Sequence, residues 1–517
     1  MSCKVIIPYR IRGLQTRPLD DKIASVMCGD KWLTKTWLRI YVSMLKKYVL
    51  HGCCVMIFAC ALIPGASDAI TIQEEEELSR EFLKMALSRY TLVEDTCINA
   101  YVREIGERIV DILPERPFDY RFYVIKNNSL NAFASPAGQI FIHSGLLSSL
   151  PSEEAFAAIM AHEVAHVYCR HISEMIDRSK KTGVATLAGI AAGILAGVAG
   201  NSEVASAVTF GTMAARQADM LSYSRDNERQ ADQMGLRFLR KAGYEGDGLV
   251  SSLEAIRQRR WYGPDQVPTY LTTHPGTEER IVRLRLMLED KDAYPRGNTR
   301  WDTTVFPKIR ARAIALTEDV AVALNRLKNE RVSATGRDAA VAAYGYGLAL
   351  VRSGKPERAV SEYETALAEQ PFDPDFLMAL GIAFFQSGRV DEALEIFNGL
   401  SVSGCRETDR LLYTARCQMA MKSFASAVTL LEQLLRREPD LPILHFYLSK
   451  ACHGAGNKGT SHYHLGRYHE AQNRLDTALY HYRAARAANL DTRITADLEA
   501  RIKRLAGQQK KMSRGGE

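Results

Sequence analysis

A 34-residue repeat in the C-terminal half constrains the fold of this 517-residue chain more than any other feature. Gly354, Gly388 and Lys422 are spaced by 34 residues, and three alanines keep the same register five positions further on (Ala359, Ala393 and Ala427). This period is typical of tetratricopeptide helix–turn–helix units, which stack into an all-α solenoid. We therefore predict a superhelical array whose concave surface is a candidate binding site for partner proteins.

The array is expected to span residues 338–505 in about four units, with a tail at 506–517. The 34-residue phase is interrupted after Lys422 and is recovered near Asn473. We therefore expect an irregular pair of helices between Pro442 and Gln472. A helical bundle without repeats is the alternative to this interpretation.

The N-terminal region has the pattern of an export signal. Two lysines precede an apolar run over residues 48–63, and small residues follow it. This order predicts a cleaved signal peptide over 44–69, and residues 1–43 are interpreted as an upstream extension or a mis-called start. An uncleaved membrane anchor and a lipoprotein modified at Cys60 are the alternatives. The expected site of action is outside the cytoplasm.

Composition excludes several classes of protein. The chain is 46% hydrophobic and 25% charged, as in globular proteins, and its net charge of +7 is modest for its length. No dense basic tract dominates, so nucleic acid is not an expected partner. The cysteines beyond the signal segment have no C-x-x-C spacing, which argues against a structural zinc finger. A disulfide among Cys405, Cys417 and Cys452 remains open.

Residues 70–290 are predicted to form a mainly helical domain around one chemical motif. Ser152 and the two glutamates after it mark a helix start. The helix continues through His162-Glu163-x-x-His166, so both histidines lie on one face and can bind one Zn²⁺. Glu163 is then placed to accept a proton from water. Two surface histidines on an ordinary helix are the alternative.

A small sheet is predicted beside this helix, which gives the domain an α+β fold. Residues 121–126 have the composition of one strand, and a second strand consists of Gln139, Ile140, Phe141, Ile142 and His143. Pro136 and Gly138 precede the second strand and favour an edge or hairpin position rather than a central one. An edge strand can pair with an extended polypeptide, so we interpret Gln139–His143 as a substrate-binding strand.

A third metal ligand must come from elsewhere in the chain. The metzincin pattern would need Gly and His where Cys169 and Ile172 stand, so that class is excluded. Glu228 and Asp232 lie four residues apart on a predicted helix and share one face. Glu228 could bind the metal while Asp232 holds a histidine ring. A solvated, charged helix face is the alternative.

Four segments in order resemble the HtpX-like zinc metallopeptidases: Asn131–Pro136, His162–His171, Tyr223–Asp232 and Thr273–Pro275. Ala137 stands where that family often has glycine. The resemblance covers about residues 81–287. It implies a zincin-type fold and one Zn²⁺ per chain, with Glu228 as the third ligand and Asp232 behind the ligands. It also implies that His274 lies near the metal, where it stabilises the transition state or occupies the open coordination position.

An export signal, a zinc site and tetratricopeptide repeats together resemble BepA-type periplasmic proteins. The resemblance implies a zinc endopeptidase of the cell envelope that acts on unfolded or misassembled polypeptides. It also implies a chaperone-like role in outer-membrane protein assembly, with the repeats binding the assembly machinery. A generic envelope quality-control protease and a non-catalytic adaptor with a vestigial zinc site are the alternatives.

Two connecting segments complete the expected domain organisation. Residues 291–337 are interpreted as a linker with one bridging helix around 308–328. The Ala- and Gly-rich residues 183–200 are short and weakly apolar for a membrane span. We interpret them as a closely packed helix, a flap near the site or a segment that contacts the membrane surface.

Overall fold

A computed structural model describes residues 70–180, 195, 223–259, 268–290, 293–488, 490 and 492–514. The chain divides into two compact units, Met1–Asp68 and Ala69–Glu517, and every described residue belongs to the second. The predicted signal segment 44–69 lies outside the described residues, as does the Gly-rich segment 183–200 apart from Leu195. Among the described helices, none has the length and apolar character needed to cross a membrane.

The N-terminal half is mainly helical with one three-stranded sheet, as predicted. Its elements in chain order are α1 (Ile72–Arg89), α2 (Thr96–Val110), β1 (Arg121–Ile125), β2 (Ala132–Ala134), β3 (Gln139–His143), α3 (Ser144–Ser149), α4 (Glu153–Tyr168), α5 (His171–Lys180), α6 (Arg225–Lys241), α7 (Asp247–Arg259), α8 (Thr269–Thr273) and α9 (Thr277–Glu289).

The C-terminal half is all-α among its described residues. Its helices are α10 (Phe306–Thr317), α11 (Val320–Ser333), α12 (Gly336–Arg352), α13 (Pro356–Glu369), α14 (Pro374–Gln386), α15 (Val390–Gly399), α16 (Cys405–Ala420), α17 (Phe424–Arg437), α18 (Pro442–Gly454), α19 (Lys458–Ala471), α20 (Leu475–Arg486) and α21 (Thr492–Arg514). The predicted order, an α+β domain followed by a helical repeat array, is confirmed.

The prediction that Gln139–His143 forms an edge strand is wrong. The strand order is β1-β3-β2, so β3 lies in the middle, parallel to β1 and antiparallel to β2. Both of its backbone edges are hydrogen-bonded within the sheet, and an extended substrate cannot pair with it. Pro136 and Gly138 belong instead to a 3-10 turn that connects β2 to β3.

Ala137, which stands where the resembling family often has glycine, lies in this turn. Ala137 has φ 53° and ψ 38°, which lies in the left-handed region that favours glycine. The turn reverses the chain so tightly that Ser135 N–H donates to Gln139 O over 2.7 Å. The family preference for glycine at this position therefore has a backbone cause, and alanine adopts the same conformation at a cost of about 1 kcal/mol.

Helix α4 is the centre of the N-terminal core. Every side chain from Ala155 to Val167 is buried, as expected for a helix that is covered on all sides. Its first residue, Glu153, is also buried. The Glu153 carboxylate accepts hydrogen bonds from Tyr101 Oη at 2.7 Å, Arg108 Nη1 at 2.9 Å and Tyr244 Oη at 3.1 Å. These contacts tie the start of α4 to α2 and to the chain after α6.

The repeats keep their register for longer than the sequence pattern indicates. The turns at Gly354, Gly388 and Lys422 have φ of 77°, 79° and 63°, and Gly456 follows 34 residues later with φ 86°. Helices α18 and α19 therefore form a regular pair, and the prediction of an irregular pair between Pro442 and Gln472 is wrong. Ser461 replaces the register alanine of this unit, and its hydroxyl contacts Ser449 Oγ at 3.0 Å.

Three smaller expectations also need correction. The predicted single bridging helix is two helices, because Asp319 caps α11 by accepting from the N–H groups of Ala321 and Val322. The expected tail is helical, since α21 continues to Arg514. Cys417 and Cys452 are free, which rules out a disulfide within the three late cysteines, whereas Cys97 is disulfide-bonded.

Partly buried arginine side chains connect the two halves of the second unit. Arg312 on α10 pairs with Asp95, the N-cap of α2, at 2.7 Å, and donates to Tyr344 Oη on α12 at 3.0 Å. Arg326 on α11 donates to the Ser148 carbonyl of α3 at 2.6 Å. Helices α10 and α11 thus hold the first repeat against the N-terminal domain.

Candidate metal centre

Helix α4 presents two imidazoles to one buried point. Ser152 caps the helix by accepting from Ala155 N–H, and the acidic first turn complements the helix dipole. His162 and His166 project from the same face one turn apart, and their Nε2 atoms are 3.1 Å apart. Both side chains are fully buried, which excludes two ordinary surface histidines.

Helix α6 brings a carboxylate to the same point. Glu228, Asp232 and Gly235 lie on one face of this helix. A methyl group at Gly235 would lie 3.3 Å from the backbone of His162, so glycine lets the two helices approach closely here. Glu228 and Asp232 are 1% and 0% exposed, and the alternative of a solvated helix face is therefore excluded.

Four side chains converge within the described residues: His162, His166, Glu228 and His274. One ligand atom of each lies within 4.8 Å of the others. Glu228 Oε2 is 3.4 Å from His162 Nε2, and Oε1 is 3.4 Å from His166 Nε2 and 3.0 Å from His274 Nδ1. The fold thus brings together the residues that the sequence motifs single out.

His274 reaches the cluster from the end of the short helix α8. Its backbone N–H donates to Tyr270 O, and Tyr270 N–H donates to Leu130 O beside the sheet. The Tyr270 ring stacks on the imidazole at 4.3 Å between centroids. These contacts fix a residue that lies 46 positions from Glu228 in the sequence.

The Glu163 carboxylate lies beside these four side chains. It is fully buried, and neither of its oxygens has a hydrogen-bond partner among the described residues. His274 Nε2 lies 3.6 Å from Glu163 Oε1. Burial raises the pKa of Glu163, although His274 opposes the shift. A raised pKa suits a group that must accept and then release a proton near neutral pH.

Asp232 and Arg280 form the layer behind the ligands. Asp232 Oδ1 lies 3.3 Å from His162 Nδ1, the ring nitrogen that faces away from the cluster. Arg280 contacts both carboxylates at 2.7 Å, Asp232 through Nη2 and Glu228 through Nη1. Sequence reasoning missed Arg280, because an arginine in an amphipathic, charged helix is normally solvated.

Two carboxylates of the site favour positive charge on His162. Burial alone would raise the pKa of Glu228, but His274 and Arg280 hold it well below its usual range. Burial and Arg280 would lower the pKa of His162, yet its hydrogen bonds with Asp232 and Glu228 raise it to about 9. The carboxylates of Asp232 and Glu228 therefore have a larger effect on the pKa of His162 than the buried Arg280 has.

One expected role falls on residues outside the cluster. Strand Gln139–His143 is internal to the sheet, and His143 Nδ1 contacts Ser129 Oγ at 2.7 Å instead of the metal-binding residues. His171, in contrast, had no role assigned from the sequence, and in the fold its ring contacts that of His166. Tyr223 also packs on His166, with 3.8 Å between ring centroids.

The residues present fit a zinc ion. Two imidazole nitrogens and one carboxylate are the donor set of a three-ligand catalytic zinc site, which leaves a fourth position open. Both oxygens of Glu163 are buried without a hydrogen-bond partner among the described residues, and a metal-bound water would supply one.

Comparisons with known proteins agree with this geometry. Residues 97–288 match the model of peptidase family M48, and residues 344–400 and 411–440 match tetratricopeptide repeat models. The putative beta-barrel assembly-enhancing protease of Vibrio cholerae is 30% identical over 43% of this chain and 45% of its own length. The beta-barrel assembly-enhancing protease of Escherichia coli K12 is 26% identical over 59% of this chain and 62% of its own.

The chain thus spans about half to three fifths of the length of these relatives. Among solved structures, MamA from Desulfovibrio magneticus RS-1 aligns with 34% of this chain and 98% of its own, at 15% identity and a TM-score of 0.26, too low to support an argument. The family models cover the buried cluster and the first three helix pairs of the array. The chain therefore carries a peptidase family M48 domain followed by C-terminal tetratricopeptide repeats.

Proposed function

We propose that the chain is a zinc-dependent endopeptidase of the cell envelope that acts on unfolded or misassembled proteins. The observation that carries the proposal is the convergence of two imidazoles, a carboxylate and an unpaired glutamate in one buried site. His162, His166 and Glu228 would hold one zinc ion, and Asp232 would orient His162. A zinc ion bound there would polarise the substrate carbonyl and acidify a water molecule.

The chain's own residues supply the proton transfers of peptide hydrolysis. Glu163 would accept a proton from the attacking water and deliver it to the leaving amine. His274 faces the same space, where it can fill the fourth position before substrate enters or donate a hydrogen bond to the oxyanion. Arg280 keeps Glu228 ionised, so that this carboxylate remains a ligand in a buried setting.

The repeats and the relatives support the envelope role. Both named relatives are beta-barrel assembly-enhancing proteases, and the repeats form a surface of the kind that binds proteins. We propose that the array binds outer-membrane assembly machinery or client proteins, and that an export signal at 44–69 directs the chain to the periplasm. In domain terms, residues 70–290 form the peptidase, 291–337 the connection and 338–505 the repeats.

A non-catalytic adaptor is the second candidate function, since helical repeats alone can bind clients. The buried Glu163 favours the enzyme, because a buried carboxylate without a hydrogen-bond partner among the described residues is costly to retain in a fold that has no use for it.

Cleavage of unfolded substrate tests the choice between them. The purified chain is expected to cleave a urea-denatured outer-membrane β-barrel protein after dilution, and to leave the same protein intact once it is folded in detergent. A zinc chelator should abolish cleavage, and added Zn²⁺ should restore it. Absence of zinc-dependent cleavage, together with retained binding of the unfolded protein, would establish the adaptor instead.

A further inference from the structure

His171 lies behind the candidate ligand His166 in a hydrogen-bonded line that leads away from the metal site. His166 Nε2 faces the ligand cluster, while its Nδ1 lies 2.9 Å from Nδ1 of His171. On the other side of the second ring, His171 Nε2 lies 3.0 Å from Gln230 Oε1. Both histidines are fully buried.

The two facing nitrogens can share only one proton, and metal binding decides which ring carries it. If His171 donated from Nδ1, His166 would carry its proton on Nε2 and would have no lone pair for a metal. If His166 donates from Nδ1, its Nε2 lone pair is free. His171 must then carry its own proton on Nε2, where the Gln230 carbonyl oxygen accepts it.

We propose that His171 and Gln230 are positioning residues that hold His166 in its metal-binding tautomer. The inference rests on the proposed function, since it requires His166 to be a ligand. In this proposal His171 orients His166 as Asp232 orients His162. The difference is that the partners of His166 are neutral, the His171 ring and the Gln230 side-chain amide. Partners of this kind fix the orientation of a ligating imidazole and increase its basicity.

The chain reversal between α4 and α5 brings His171 next to His166. Arg170 has φ 56°, a left-handed conformation that ends α4 and turns the chain back on itself. The Arg170 side chain is held by Glu75 at 2.8 Å, and Ser173 Oγ donates to the same carboxylate at 2.7 Å. The first residue of α5 is thereby fixed against the last turn of the helix that carries His166.

Zinc affinity of the full-length chain tests the proposal, measured by competition with a chromogenic chelator. His171→Leu should weaken zinc binding by about 10- to 100-fold, and Gln230→Met should weaken it by a smaller factor. His171→Asn should recover most of the affinity, because its side-chain oxygen can accept from His166 Nδ1 although it lacks the ring. Gln233→Met is the matched control, since Gln233 and Gln230 are both exposed glutamines of α6, and Gln230 is the one that contacts His171.

The outcomes separate this inference from the function on which it rests. If His166→Ala loses zinc while both His171→Leu and Gln230→Met bind it within twofold of the wild type, the relay is overturned and the zinc site stands. If the wild type binds no zinc, both proposals are overturned. Equal losses in His171→Leu and His171→Asn would show that ring packing matters instead of the hydrogen bond, and would also overturn the relay. Gln230→Met keeps the test decisive should His171→Leu fail to fold.

Discussion

Replacing Glu163 with glutamine is expected to lower kcat for peptide cleavage by about 10²- to 10⁴-fold with little change in KM. Glutamine has nearly the same shape, so the fold and the zinc content should be unchanged, but its amide cannot accept the proton from water. Steady-state kinetics on a fluorogenic peptide, with metal analysis of the same sample, measure both quantities.

Glu154→Gln is the matched control for this substitution. Glu154 lies on the same helix, in its first turn and two turns away from the metal-binding histidines. Its replacement should leave kcat within about twofold of the wild type, as for a surface change away from the site. A Glu163→Gln enzyme with kcat within tenfold of the wild type would show that another group accepts the proton.

Replacing Arg280 with methionine should destabilise the metal-free protein by about 3–5 kcal/mol. The guanidinium is the buried counter-charge shared by Glu228 and Asp232, and Asp232 has a second arginine partner, Arg283 at 3.0 Å. Removing Arg280 leaves the buried Glu228 carboxylate without an arginine partner and weakens the compensation of Asp232. Urea unfolding in the presence of a chelator measures the loss, which should shrink when zinc is bound because the metal then compensates Glu228.

Arg285→Met on the same helix is the control for this experiment. Arg285 pairs with Glu254 at 2.5 Å, but its side chain is 62% exposed, so its loss should cost less than about 1 kcal/mol. Equal losses for the two variants, or a loss that zinc does not reduce, would contradict the view that Arg280 balances the charge of the metal site.

Local sequence patterns predicted much of the fold because their physical causes are local. A 34-residue period specifies one helical hairpin after another, and the positive φ at each turn explains why Gly354 and Gly388 stand there. Ser152 and the glutamates that follow it likewise specify the start of α4. Gly456 keeps the 34-residue register in the sequence, but Ser461 stands where the earlier units have alanine, so the pattern is weaker in this unit.

Features that depend on distant contacts could not be predicted in the same way. The position of β3 within the sheet depends on its pairing with β1, 18 residues earlier in register. Pro136 and Gly138 favoured an edge or hairpin position; they do form the turn of the β2–β3 hairpin, but β3 is the central strand. Nothing local distinguishes the buried Arg280 from the solvated arginines around it, and nothing in the motif shows that His171 folds back on His166.

The zinc content of the Glu228→Ala variant tests the central claim most directly, with Asp226→Ala as the control. Both substitutions remove one carboxylate from the first turn of α6, but Asp226 is exposed and pairs only at the surface with Arg229. After dialysis against metal-free buffer, the wild type and Asp226→Ala are predicted to retain about one zinc per chain, and Glu228→Ala to lose it. Full zinc occupancy in Glu228→Ala would show that Glu228 is not a ligand and would contradict the proposed zinc centre.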